Sequence, residues 1–290
     1  MSIRNCNIVP GRVLARTRRL FVLTTLLAAG CGGGPSVEPV DITMMPELEA
    51  TAAELVEGID SRADSVRGIK ADLDMFFLRA QGEKVKGCQG KLVALRGRGD
   101  ADGSRIYLKG YKKLVPTFFT LKSDGTGFWL HIPSEKVVYS GPYDRAEGAD
   151  TAEVDLEAAD LSRALFVEPF DPADVAGLSE ESGVYILTLT RGGSLLRRLW
   201  IEKKMFAVVM EKYYNPSGGE DLELRRSKHT LVGGLHYPLE ITIFKPDSGR
   251  EISIRIRDLK LNPSGIPPEA FQFEAPLGTK VIRLDQETGQ

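Results

Sequence analysis

Residues 105–140 read RIYLKGYKKLVPTFFTLKSDGTGFWLHIPSEKVVYS, and their reading decides the fold. Four short runs rich in β-branched and aromatic residues, Arg105–Tyr111, Thr117–Lys122, Phe128–Ile132 and Lys136–Ser140, are strand candidates. Between the later runs lie the turn signals Ser123-Asp124-Gly125 and Pro133-Ser134-Glu135. Strands this short at even spacing predict an antiparallel meander. Upstream, Ala71, Leu73, Met75 and Phe77 alternate with Lys70, Asp72, Asp74 and Phe76. A strand at Lys91–Arg96 follows, and Gly97-Arg98-Gly99-Asp100 is the next turn.

Helical periodicity appears twice. Leu48, Ala52, Leu55, Ile59, Ala63 and Val66 recur at steps of three and four after Pro46 and before Gly68, which predicts an amphipathic helix with one apolar stripe. After an acidic loop, Asp144 to Asp155, the residues Val154, Ala158, Leu161 and Leu165 predict a second, shorter helix, stopped by Pro169 and Pro172. Strand candidates then resume at Val184–Thr190, Leu195–Glu202, Ala207–Tyr214, Leu222–His229, Leu239–Phe244 and Glu251–Leu261, with Gly192-Gly193 as a hairpin turn. The fold class expected is mainly β, α+β. It is a strongly curved antiparallel sheet or incomplete β-barrel of about 11–12 strands, with an N-terminal amphipathic helix and a short lid helix.

The chain of 290 residues has 38 Lys+Arg, 40 Asp+Glu, three Cys and 42% hydrophobic residues. The balance of charge gives no electrostatic reason for nucleic-acid binding. Three cysteines do not make a disulfide scaffold.

The N-terminus differs from the rest. Arg4, Arg12, Arg16, Arg18 and Arg19 precede the apolar run LFVLTTLLAA at 20–29, with no acid among them. That run is too short to span a bilayer, which takes ~20 residues, but fits a secretory signal. It ends in Leu27-Ala28-Ala29-Gly30-Cys31, which resembles a bacterial lipobox, with Ala28 where Leu is commoner. The other reading is an ordinary signal peptide with Cys31 incidental. The expected organisation is a lipoprotein signal peptide at 1–30, a flexible tether from lipidated Cys31 over 31–45, one domain over 46–283 and a polar tail at 284–290. Processing would take the net charge from −2 to about −7. Acyl chains on Cys31 contribute ~0.8 kcal/mol per buried CH₂, enough for stable anchoring.

No catalytic or metal-binding pattern stands out. His131, His229 and His236 have no zinc-site spacing, and no nucleophile elbow or P-loop is present. Asp72 and Asp74 share a strand face, which is more often solvated than an acid/base pair. Cys88 lacks a second thiol to resolve it. No enzyme, no metal and no cofactor are expected. What is unusual is the apolar excess, as in Phe128-Trp129-Leu130 and Leu199-Trp200-Ile201. Two readings remain open: a thick sheet whose second face is partly covered by the helices, or a sheet curled around a greasy cavity with the helices as lid.

Three features together carry a resemblance. Ser123-Asp124-Gly125 with Phe128-Trp129-Leu130-His131-Ile132-Pro133 resembles an S-D-G-x-x-x-W-x-Y-x-P turn and strand. Ile266 to Gly278 (IPPEAFQFEAPLG) resembles a closing D-x-x-F-x-F-x-x-P-x-G, and Asp160–Phe166 falls where a lid helix belongs. The chain thereby resembles the bacterial lipoprotein carrier and receptor family LolA/LolB, in its uncharacterised lipoprotein branch. The resemblance implies an apolar cavity for lipid acyl chains, with Phe77, Phe119, Leu121, Leu130, Trp200, Ile243 and Ile254 as its lining. It implies Leu55, Ile59, Leu161 and Leu165 on the lid. It also implies a lid-holding Arg96, although Arg96-Gly97-Arg98-Gly99-Asp100 lacks the Pro that follows this Arg in the family. Leu114-Val115-Pro116 is one candidate for the receptor's protruding apolar loop. The implied partners are the membrane through acylated Cys31, lipid or lipoprotein acyl chains, and a periplasmic carrier protein, with no nucleic acid. The implied place is the periplasmic face of the outer membrane. The implied work is lipoprotein sorting or lipid transport. The alternative is a non-enzymatic accessory of an envelope complex that uses the same fold as a scaffold.

Overall fold

The computed structural model describes residues 38–78, 84–97, 103–143 and 156–284. The leader at 1–30, Cys31, Asp144 to Asp155 with Val154, and the tail beyond Leu284 lie outside the described residues.

The chain enters as a strap along residues 38–50. It was expected as the end of a tether, yet it is tied to the body. Val40 N–H donates to His229 O (2.7 Å), Thr230 Oγ1 donates to Glu38 O (2.6 Å), and Leu48 N–H donates to Lys203 O (3.1 Å). Helix α1 (Ala52–Ser65) then begins at Thr51 rather than Pro46. The reason is a capping box. Thr51 N–H donates to Glu54 Oε2 (2.8 Å) and Glu54 N–H donates to Thr51 Oγ1 (3.3 Å), which satisfies the donors a helix start leaves open. Its stripe of Leu55, Ile59 and Ala63 is buried.

Among the described residues fourteen strands form one sheet. In the first half β1 (Gly68–Leu78), β2 (Lys84–Leu95), β3 (Arg105–Lys112), β4 (Val115–Asp124), β5 (Gly127–Ile132) and β6 (Val137–Pro142) make the predicted meander. The chain crosses through helix α2 (Ala158–Leu165) to the far edge. It returns through β7 (Val175–Glu181), β8 (Val184–Arg191), β9 (Ser194–Glu202), β10 (Ala207–Tyr214), β11 (Glu220–Val232), β12 (Leu235–Lys245) and β13 (Arg250–Leu261). β13 pairs antiparallel with β1, so the two halves meet mid-sheet. β14 (Lys280–Arg283) adds a parallel edge beside β6. The edges β14 and β7 do not pair, and the sheet is curved but unclosed.

Two strands escape the periodicity reading. β7 is half Ser and Glu and mostly exposed, and β14 has four residues. β2 also begins earlier than expected, through a Gly-rich run. Gly90 is needed there because an added Cβ would meet the Met75 methyl at 2.6 Å.

The Ser123-Asp124-Gly125 motif is a built turn. Asp124 Oδ1 accepts from Thr126 N–H (2.9 Å) and Gly127 N–H (3.0 Å), and Ser123 Oγ accepts from Gly125 N–H (3.1 Å). Gly125 has φ 99°, and a Cβ there would lie 2.5 Å from Gly103 O. Gly125→Ala is therefore expected to cost about 1–3 kcal/mol from the backbone alone, more with the clash, read as a lowered urea midpoint.

The core lies on the face that both helices cover. α2 seals a cluster that runs over β1–β5 and β11–β13. α1 seals a second, with Tyr185, Leu187, Leu199, Ile201 and Val208. The apolar excess on the other face has a different cover from the one expected. Near β3–β5 it is the C-terminal segment, not the helices. Phe273 stacks on Trp129 (6.2 Å between centroids), Phe271 is buried, and Lys122 Nζ donates to Gln272 O (2.6 Å).

Candidate functional site

The helices meet the sheet through polar groups at their C-terminal ends, where carbonyl oxygens lack intrahelical partners. The sheet supplies those partners to α2. Arg226 on β11 donates to Arg163 O (2.6 Å) and Ala164 O (3.2 Å), and Tyr237 on β12 donates from its hydroxyl to Leu165 O (2.9 Å). Arg96, just past β2, donates both terminal nitrogens to Val167 O (3.1 Å) and its Nε to Val66 O (3.1 Å). Its guanidinium also sits 5.0 Å from the Phe166 ring centroid. Arg96 thus spans the ends of both helices, without the Pro the resemblance would have wanted. Cations here also oppose the negative end of each helix dipole.

Behind this latch is a buried ionic row. Glu211 on β10 has no exposure, accepts from Arg226 Nη1 (2.9 Å) and the Tyr213 hydroxyl (2.9 Å), and forms an ion pair with Arg197 Nη1 (3.2 Å). Arg197 also donates to Glu168 O (3.2 Å), and Arg163 Nε pairs with Glu168 (3.2 Å). Burial and then Glu211 hold the Tyr213 phenol well above its ordinary range, so it stays a donor. Burial likewise pushes the Tyr237 phenol up.

Between α1, α2 and strands β10–β12 the packing leaves a cavity of about 70 Å³. Small-molecule pockets begin near ~300 Å³, so this space admits no acyl chain as it stands.

Phe77, Phe119, Leu121, Leu130, Ile243 and Ile254 fall together in the cluster beneath α2, with Leu161 and Leu165 of that helix. Leu55 and Ile59 fall in the cluster beneath α1. Trp200 does not join them. Leu199 and Ile201 are buried and Trp200 is out of phase with them, half exposed on the other face. Leu114 stands at the β3–β4 turn with 91% exposure. Asp72 and Asp74 pair with Lys91 (3.9 Å) and Arg257 (3.2 Å), and half-buried His131 lies against Phe273. Cys88 is buried, which pushes its thiol up to about 11 and leaves it un-ionised at neutral pH. The sequence reading missed Arg62, Arg197, Glu211, Arg226 and Tyr237. Their signal was a charge or hydroxyl in phase with buried neighbours, as in Leu222, Leu224, Arg226.

An unclosed, strongly curved antiparallel sheet whose apolar face is covered by two helices defines the LolA/LolB-like fold. Solved structures agree. A DUF1329 family protein from Desulfovibrio piger is similar at 16% identity and TM-score 0.56, over 76% of this chain and 95% of that one. A LolA superfamily protein from Nitrosomonas europaea is similar at 15% identity and TM-score 0.50, over 78% and 99%. A putative outer membrane lipoprotein-sorting protein domain from Vibrio parahaemolyticus is similar at 14% identity and TM-score 0.50, over 76% and 95%. No family model matches the sequence, and no curated protein matches it either.

Proposed function

We propose that this chain is a lipoprotein of the cell envelope, anchored through Cys31 at the periplasmic face of the outer membrane. It binds lipid or lipoprotein acyl chains between its helices and sheet and serves lipoprotein sorting or lipid transport without catalysis. The observation that carries this reading is how the helices are held. Arg96, Arg226 and Tyr237 fasten their C-terminal ends to the sheet by side-chain bonds to carbonyls, each worth only about 0.5–1.5 kcal/mol net, or about 1.5–3 where charged. Such a latch can open while the sheet stays folded. The apolar cluster beneath α2 is then the surface an acyl chain would replace water against, at ~0.8 kcal/mol per CH₂.

The test uses Cys31→Ser protein, which lacks the acyl acceptor. Native mass spectrometry is expected to show co-purified lipid, and a fluorescent fatty acid is expected to bind. Arg96→Leu should bind the probe several-fold faster, since each lost charged bond is about 1.5–3 kcal/mol of latch. A lipid-free protein that binds no probe with either sequence ends this reading.

The small volume of the cavity at the helix seam, about 70 Å³, favours a second reading, a scaffold in an envelope complex. Crosslinking in intact envelopes would then recover a protein partner, and recovery of lipid alone would count against it.

A further inference from the structure

The cavity at the helix seam has a chemistry that the latch does not account for. Five basic side chains line it from four elements: Arg62 on α1, Arg96 after β2, Arg226 and His229 on β11, and His236 on β12. Among the described residues no carboxylate lines it. Arg226 and His229 are three residues apart, which a regular strand would place on opposite faces. Lys228 between them has φ 52°, a left-handed conformation that breaks the alternation and brings both to one cavity.

Arg96 and Arg226 cap helix ends, but Arg62 caps neither helix. Among the described residues it donates to Met205 O (2.6 Å) and Phe206 O in the β9–β10 turn and pairs with no carboxylate. A guanidinium offers five N–H donors, so two carbonyls leave it donors to spare. A positive group held beside an apolar cavity without a counter-charge is costly unless something anionic visits it. The electrostatics of the neighbours agree. Burial first, then the charges of Arg226, His236 and Arg62, push His229 down to about 4, and burial and Arg62 lower His236. The acids that act on Arg96, Asp64 and Glu168, do so from outside the lining. The space, about 70 Å³, is several times the roughly 10–15 Å³ that one water needs, so a carboxylate or phosphate group fits.

We infer that this cavity is a binding site for one oxyanion, the carboxylate or phosphate end of an amphiphile, received by Arg62, Arg96, His229 and His236. The remaining lining includes Ile59, Val66, Leu165 and Val208, which belong to or adjoin the clusters beneath the two helices. The anionic end therefore lies at the seam while the chain runs under a helix. An oxyanion is a stronger acceptor for a guanidinium than a main-chain carbonyl. Its arrival at Arg96 competes with Val66 O and Val167 O for the same donors and so loosens both helix ends. The amphiphile part of this inference rests on the acyl-binding reading above; the oxyanion site does not.

The test compares palmitate, hexadecanol and inorganic phosphate on Cys31→Ser protein, with affinities from calorimetry and imidazole signals of His229 and His236 from NMR. Palmitate is expected to bind at least about tenfold tighter than hexadecanol, the value of one charge-assisted bond. In Arg62→Gln that ratio should fall toward one, and in Arg62→Lys it should partly return. Phosphate should shift both imidazole signals in the parent and not in Arg62→Gln. His236→Gln, at a half-exposed position, repeats the ratio measurement should Arg62→Gln fail to fold. Equal affinity for palmitate and hexadecanol with no phosphate shift overturns the oxyanion site and leaves acyl binding standing. A phosphate shift with neither amphiphile bound upholds the site for a free oxyanion and ends the acyl reading.

Discussion

Glu211→Ala is expected to destabilise the protein by about 3–5 kcal/mol, the cost of leaving buried charge without its partner. Two guanidiniums pair with this one carboxylate, Arg226 at 2.9 Å and Arg197 at 3.2 Å, and all three side chains are nearly inaccessible to solvent. Removing the acid strands Arg226 and leaves Arg197 and the Tyr213 hydroxyl with only the more distant Glu168 carboxylate, at 3.6 Å and 3.3 Å. The effect should not stay local. Arg226 also holds the last carbonyls of α2, so loss of Glu211 is expected to loosen α2 as well as the sheet. Urea unfolding of Cys31→Ser protein measures the first, and faster uptake of a fluorescent fatty acid the second. A contrasting pair sets the scale. Lys228–Glu240, at 2.8 Å but with the lysine half exposed, is expected to contribute less than about 1 kcal/mol. A loss below that level in Glu211→Ala would show that the buried row is not what fixes this part of the sheet.

The parts of the fold that were legible in sequence are those where burial imposes a period. β1 places Ala71, Leu73, Met75 and Phe77 inside, and β13 does the same with Ile252, Ile254 and Ile256, so alternation alone locates them. β7 is not legible because an edge strand with little buried surface need not alternate. The start of α1 was misplaced because Pro46 is a weaker signal than the Thr51–Glu54 box that forms. The same logic divides the site. Its apolar half was readable, except at Trp200, where a run of three apolar residues hides which one faces out. Its charged half was not, because a charge at an inward position looks like an outward residue until its partner on another strand is known. Glu211, Arg197 and Arg226 lie on three strands, and only the sheet brings them together. Arg96 was found by resemblance, and its two carbonyl partners, 30 and 71 residues away in the chain, could come only from the fold.

His229 should make stability fall between pH 6.5 and about 4. Its side chain is 7% exposed, and burial with Arg226, His236 and Arg62 holds its pKa down to about 4, against 6.5 in the unfolded chain. Above 6.5 the imidazole is neutral in both states and exerts no pull. Between 6.5 and 4 only the unfolded chain takes up the proton, so each step downward in pH favours unfolding. Over the full window the loss is about 3 kcal/mol, at 1.36 kcal/mol per unit. Below 4 both states are protonated and the contribution levels off. The groups that face this imidazole are Arg226 on its own strand, His236 from β12 and Arg62 from α1, so protonation adds a cation to a space that already holds cations. Carboxylates such as Glu223 and Glu240 have lowered pKa values, and their contributions are lost only as the pH falls below about 4.5. The measurement is therefore a difference: urea unfolding from pH 7 to 4.5 for the parent and for His229→Gln. The parent should lose more stability than the variant across that range, and parallel slopes would sink the assignment. An oxyanion in the cavity adds the missing opposite charge, raises the imidazole's pKa and narrows the gap to the unfolded chain. Saturating phosphate or palmitate is thus expected to flatten the parent's slope and to leave that of His229→Gln less changed.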